Sequence, residues 1–129
     1  MKQMNDDLSE EQKNVLFDKG TETPGTGKFL SHSEQGEYTC ANCGSKLFSS
    51  DTKYESTAAG LVGWPSFDGA IKGAVEYKDD NNLFMKRTEI TCANCGGHLG
   101  HVFKADDAPS GDHYCVNSAS LDFDPVKSD

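Results

Sequence analysis

Apolar residues fall along this 129-residue chain in two rhythms. In LSEEQKNVLFDKG, Leu8, Val15 and Leu16 recur at helical spacing. Ser9 stands three residues before Gln12, an S-x-x-Q capping box that satisfies two backbone N–H groups at a helix start. Gly20 is the natural stop. The pattern predicts one short helix whose stripe packs on the domain, with docking on a partner as the alternative. Pro24, Gly25 and Gly27 then mark an irregular connection. Beyond it the rhythm shortens: GEYTC, KLFSS, AVEYK, LFMKRTEITC, HVFK and HYCVNSASLDF are rich in Thr, Ile, Val and aromatic residues. Gly, Asp and Asn clusters at 68–73, 79–82 and 105–112 punctuate these runs as turns. The expectation is a mainly β fold, two small antiparallel sheets with a short N-terminal helix. The length predicts a single domain over 1–129, with its core at about 8–123 and a flexible tail at 124–129.

Composition adds a requirement. Aliphatic content is modest and glycines number 13, so the core needs a staple. TCANCG occurs at 39–44 and again at 91–96, with 48 residues between the inner cysteines. Each CxxC lets two thiolates bind one ion from a tight turn. Cys40, Cys43, Cys92 and Cys95 together suit one tetrahedral, structural Zn²⁺ with no open position. Redox dithiols, disulfides and an iron S₄ site are the alternatives. Most of the predicted strands lie between the two copies, so the ion clamps the whole domain and its loss unfolds it.

The net charge of −9 argues against nucleic-acid binding, which needs basic patches. No apolar run approaches the roughly 18–20 residues of a membrane span. MKQMNDDLSEEQK is polar and acidic, unlike a signal or transit peptide, so the expected setting is a reducing cytoplasm. A monomer is the default.

A fifth cysteine, Cys115, lies outside the pairs. Alone it would read as a buried small hydrophobe. His98, His101 and His113 accompany it, with Asn117, Ser118 and Ser120 just beyond. A nearby imidazolium would favour the thiolate, the nucleophilic form. Trp64, in GWPSF, reads either as a core aromatic or as the wall of an apolar substrate site. Phe67 and Phe103 read first as core, with Phe103 also a candidate substrate contact. His32 reads as solvated.

Taken together, GWPSF, CxxC-G-x-HLGHVF and YCVNSASL resemble the zinc-containing methionine-R-sulfoxide reductases of the B type, from about Leu8 to Phe123. The resemblance implies that Cys115 is the catalytic nucleophile and that Trp64 packs against the sulfoxide methyl group. His98, His101 and Asn117 would hold the sulfoxide oxygen or an active-site water, and the four paired cysteines would hold zinc. It implies methionine-R-sulfoxide as substrate, free or in proteins. It also implies a Cys115 sulfenic acid that an external thiol, thioredoxin-like or small, reduces. Two departures stand out. ESTAAGLVGWPSF lacks the resolving cysteine of many members, which points to a one-cysteine cycle. His113, a candidate substrate contact, replaces the arginine often found two residues before the nucleophile, making that charge titratable. A non-catalytic zinc-ribbon-like interaction module and an iron electron carrier are the rivals.

Overall fold

In the computed structural model, which describes residues 3–56, 62–82 and 85–125, the capping box closes as expected. Gln12 N–H donates to Ser9 Oγ at 3.1 Å and Ser9 N–H donates to Gln12 Oε1 at 2.8 Å, opening helix α1 (Glu10–Asp18). Leu8, Val15 and Leu16 are buried, so the stripe packs on the domain. The left-handed stop falls on Lys19, at φ 59°, and not on Gly20. Gly20 N–H still caps the helix, donating to Asn14 O at 3.0 Å; a Cβ on Gly20 would collide with the Asn14 side chain.

Among the described residues nine strands follow: β1 (Gly36–Cys40), β2 (Lys46–Ser49), β3 (Lys53–Tyr54), β4 (Ser66–Phe67), β5 (Val75–Asn82), β6 (Met85–Cys92), β7 (His98–Lys104), β8 (Asp112–Val116) and β9 (Leu121–Pro125). They form two antiparallel sheets, ordered β2-β1-β9 and β3-β4-β8-β7-β6-β5. The fold class is therefore as the sequence predicts.

Several boundaries differ, each for a physical reason. HYCVNSASLDF is two strands, because a 3₁₀ turn at Ser118–Ser120 carries the chain from the six-stranded sheet to the three-stranded one. Serine side chains hold the break: Ser118 Oγ accepts from Phe29 N–H at 3.2 Å and Ser120 Oγ donates to His98 O at 2.8 Å, long-range bonds that fix the turn. Residues 79–82, read as a turn, extend β5 in register with β6. β5 is an edge strand, where charge is tolerated and discourages association. β7 begins at His98, three residues before the predicted run. Asp124 and Pro125, assigned to the tail, pair with Glu37 and Gly36; residues 126–129 lie outside the described set.

Between the sheets lies the core. Tyr38, Phe48, Phe67, Leu99 and Leu121 are fully buried. Phe67 stacks on Phe48 with centroids 4.5 Å apart and meets Tyr38 edge-on at 5.2 Å. His32 is not simply solvated, because Phe29, Tyr38 and Phe123 surround its ring and Nδ1 bonds the Tyr38 hydroxyl at 2.7 Å. Phe67→Ala should destabilise the metal-loaded protein by about 3–5 kcal/mol in urea unfolding. A loss below about 1 kcal/mol would show that this stack is not the centre of the core.

Candidate active site

The two TCANCG copies fold into the same turn. Gly44 N–H returns to Cys40 O and Gly96 N–H to Cys92 O, both at 2.8 Å. Both glycines sit at positive φ, 79° and 81°, where side chains are disfavoured. The turns meet head to head: Cys40 Sγ lies 3.7 Å from Cys95 Sγ, and Cys43 Sγ 3.5 Å from Cys92 Sγ. These distances exclude disulfides, whose sulfurs lie about 2.05 Å apart. All four sulfurs fall within 4.8 Å of one another. A tetrahedral ion with metal–sulfur bonds of about 2.3 Å would space its ligands about 3.8 Å apart, so the cluster fits one. The N-terminal segment braces it, since Asn42 Oδ1 accepts Met4 N–H at 2.7 Å and Asn5 Nδ2–H donates to Ala41 O at 2.8 Å.

Cys115 lies elsewhere, on β8. Strand register sets Ser66, Cys115, His101 and Glu89 side by side across β4, β8, β7 and β6. Opposed residues on antiparallel strands share a face, so this row presents the thiol beside an imidazole. A regular strand would send His98, three residues before His101, to the opposite face. The register instead shifts between Ile90 and Thr91, leaving an extra residue in β7 near Leu99. This bulge brings the two imidazoles together, with ring centroids 5.5 Å apart. His98 Nδ1 then reaches Glu89 Oε2 at 2.7 Å, while Lys19 Nζ, from the end of α1, lies 3.3 Å from Glu89 Oε1. Burial works to raise the Glu89 carboxyl, but the bonds from His98 and Lys19 outweigh it and hold the group below its ordinary value. Burial lowers His98 against the pull of Glu89. A neutral imidazole beside a carboxylate carries its proton on Nδ1, leaving a lone pair on Nε2, which is buried without a hydrogen-bond partner.

Asn117 secures the bulge. Its N–H and its Nδ2–H both donate to Leu99 O, at 2.9 and 3.0 Å, and its Oδ1 accepts Glu22 N–H at 3.0 Å. The amide is buried and bonded at both ends, to Leu99 O and to Glu22 N–H. His113 is also buried. Its Nε2 lies 2.9 Å from Ser66 Oγ and its Nδ1 3.1 Å from Asp107 Oδ1, so the ring braces β8 against β4 and against the loop after β7. Trp64 is half-buried and its Nε1–H donates to Glu22 O at 3.0 Å. Phe67 is core, as expected. Phe103 is not, lying half-buried beside His101 with centroids 6.2 Å apart.

The thiol itself departs from expectation. Burial first, and then the Glu22 charge, push Cys115 up to about 12, where neighbouring imidazolium was expected to depress it. His98, held low by burial, supplies no such cation at neutral pH.

A sequence model of the SelR domain matches residues 8–125. The chain belongs to the SelR-domain family. Curated relatives include the peptide methionine sulfoxide reductase MsrB of Methanosarcina barkeri, 51% identical over 90% of this chain and 80% of that protein. That of Leptospira interrogans is 51% identical over 91% of this chain and 87% of its own length. Mouse mitochondrial methionine-R-sulfoxide reductase B3 is 43% identical over 91% of this chain and 45% of that longer protein. A crystal structure of the Mis18 "Yippee-like" domain superposes at TM-score 0.57, covering 74% of this chain and all of that one at 15% identity; this likeness concerns the fold alone.

In this SelR domain three site groups escaped the sequence reading: Glu22, Glu89 and Asp107. Each meets its partner only through folding, and each sits among polar residues with no motif around it. Glu89 offers the one local hint, a charge inside the strand run TEITC. The His98 assignment has a direct check. Long-range ¹H–¹⁵N spectra at pH 7.5 should show neutral His98 protonated on Nδ1, and the Nε2–H tautomer would mean that Glu89 is the proton donor.

Proposed function

We propose that this SelR domain reduces methionine-R-sulfoxide, free or in proteins, to methionine, with Cys115 as nucleophile. One observation carries the reading: Cys115 is the cysteine left outside the thiolate cluster, and it faces His101 across the β7–β8 ladder. Trp64, two residues before the Ser66 that pairs with Cys115, supplies the apolar wall for the methyl group. The Cys115 sulfur attacks the sulfoxide sulfur, and one imidazole of the His98–His101 pair moves the thiol proton to the sulfoxide oxygen. The oxygen ends on Cys115 as a sulfenic acid, two electrons pass to the substrate sulfur, and methionine leaves. Two equivalents of an external thiol, thioredoxin-like or small, return the sulfenic acid to thiol and release water and a disulfide.

The cycle uses one cysteine of this chain. The other four are drawn into the cluster, and the segment before GWPSF holds no cysteine, although residues 57–61 lie outside the described set. The ion is zinc by the preference of four thiolates for a closed tetrahedral site, and its role is structural. Among the described residues no helix is long and apolar enough to cross a membrane. A cytoplasmic monomer remains the working picture.

Turnover with dithiothreitol tests the nucleophile. Wild type should consume the R epimer and leave the S epimer, and Cys115→Ser should fall to background. Full activity in that variant would sink the assignment. Slow alkylation of resting Cys115 does not separate a reductase from an inert module, because the thiol is held up in either case. After one turnover without reductant, mass spectrometry should find a sulfenic acid on Cys115; a disulfide to another cysteine of the chain would overturn the one-cysteine cycle. Metal analysis should give one zinc per chain in a colourless protein, with chelation abolishing near-ultraviolet dichroism. A coloured, redox-active ion would replace zinc with iron.

A further inference from the structure

Ser66, His113 and Asp107 form a buried chain of hydrogen bonds that sulfoxide reduction leaves unused. Asp107 Oδ1 lies 3.1 Å from His113 Nδ1, and His113 Nε2 lies 2.9 Å from Ser66 Oγ. Imidazole and hydroxyl are both buried. The carboxylate is also held from β3 and the residues after it: Asp107 Oδ2 accepts from Ser56 Oγ at 3.0 Å, and Oδ1 accepts from the Tyr54 hydroxyl at 3.4 Å. The Tyr54 ring covers the imidazole edge-on, with centroids 5.5 Å apart.

Serine, imidazole and carboxylate in this order resemble a hydrolase triad, but Ser66 is buried within a strand and cannot attack a substrate. Bracing alone does not call for this set either. Desolvating an imidazole and a carboxylate is costly, and apolar side chains of similar volume would hold β4 on β8 as well. The chain ends beside Cys115. Ser66 is the cross-strand partner of Cys115, and His113, two residues before Cys115, shares its face of the sheet. The bond from Ser66 to His113 puts the hydroxyl on that same face. Directly opposed side chains have Cβ atoms about 4.5–5.5 Å apart. The sulfur is thus flanked by His101 on β7 and by Ser66 on β4.

We propose that Ser66 is the proton donor for the second half of the cycle, the step that strips oxygen from Cys115, with His113 and Asp107 as positioning residues that resupply it. The inference rests on Cys115 being the reacting thiol and carrying a sulfenic acid. A thiolate of the external reductant attacks the Cys115 sulfur, so an S–S bond forms and the S–O bond breaks. The leaving hydroxide takes a proton from Ser66 Oγ while His113 Nε2 returns one to Ser66, and water departs. Asp107 stabilises the imidazolium that carries this proton. A second thiolate attacks the reductant sulfur of the mixed disulfide, releasing the reductant disulfide and the Cys115 thiolate. The protons of the two reductant thiols restore His113 and Cys115.

A hydroxyl in this place can work in both directions. With the imidazole neutral and protonated on Nδ1, Ser66 donates to Nε2. With the imidazole charged, Nε2–H donates to Ser66, whose own proton turns to another acceptor. Trp64 O, 3.4 Å from Ser66 Oγ, is a long and weak one, which a sulfenic oxygen on the neighbouring strand displaces. The two flanks of Cys115 thereby divide the work. The His98–His101 pair moves the proton of sulfoxide reduction, and the Ser66 chain moves that of regeneration.

Rapid-quench kinetics on metal-loaded protein separates the two halves. Methionine released in one turnover without reductant reports the first. Loss of dimedone-trappable sulfenic acid on Cys115 after dithiothreitol is added reports the second. Ser66→Ala should slow the second about a hundredfold, the low end of what a positioned acid contributes, and the first by less than about threefold. Ser66→Thr keeps the hydroxyl and should recover most of that loss. His113→Gln still bonds Ser66 but passes no proton, and should slow the second half alone. In wild type the second half should run slower in D₂O. An unchanged second half in Ser66→Ala, equal slowing of both halves, or Ser66→Thr as slow as Ser66→Ala would overturn the proposal. A wild-type second half indifferent to D₂O would overturn it even if no variant folded. These outcomes concern regeneration alone, whereas failure of the reductase reading shows in the turnover of Cys115→Ser.

Discussion

Four cysteine sulfurs converge from two hairpin turns, and the rest of the molecule is arranged around that meeting. One turn joins β1 to β2 in the smaller sheet, and the other joins β6 to β7 in the larger. Sulfur contacts of 3.5 and 3.7 Å between the turns pin one end of the sheet pair. The aromatic stack of Phe48 on Phe67, with Tyr38 edge-on, fills the space that the pinning defines. A domain with a modest core depends on such a clamp, because few apolar contacts would otherwise oppose the chain entropy of so many loops.

The clamp also positions chemistry that it takes no part in. Its second turn leads directly into β7, where the bulge near Leu99 places two histidines on one face. Bulges are costly unless their loose backbone groups find partners. Here Asn117 supplies two donors to the Leu99 carbonyl, from the strand end just beyond Cys115. The same residue thus fixes the imidazoles and the thiol relative to one another. The Ser66–His113–Asp107 chain does similar work on the other flank, holding β4 and the loop after β7 against β8.

Electrostatically the site is restrained at rest. Burial keeps Cys115 protonated and His98 neutral, and the nearby Glu22 charge reinforces the first effect. Glu89 takes the opposite part, ionised by its bonds to His98 and Lys19 and so able to hold one tautomer of the imidazole.

Features that depend on neighbours in the chain were readable from the residues. The capping box of α1, the glycine-closed CxxC turns, the antiparallel β class and the isolation of Cys115 all follow from local geometry and from counting cysteines. The family resemblance was legible too, through the order and spacing of its motifs. What required the tertiary structure was every relation between distant segments. Ser118 and Ser120 break one apparent strand into two because their hydroxyls bond backbone from other segments, and no local pattern reveals such partners. The polar end of β5 is a strand because β6 pairs with it, a choice made by register and not by propensity. Glu22, Glu89 and Asp107 acquire roles only when folding sets them beside Asn117, His98 and His113, across separations of 95, 9 and 6 residues. The direction of the Cys115 shift belongs to the same class: residue types can suggest a nucleophile, but burial and the sign of the nearest charge decide whether it rests as thiol or thiolate.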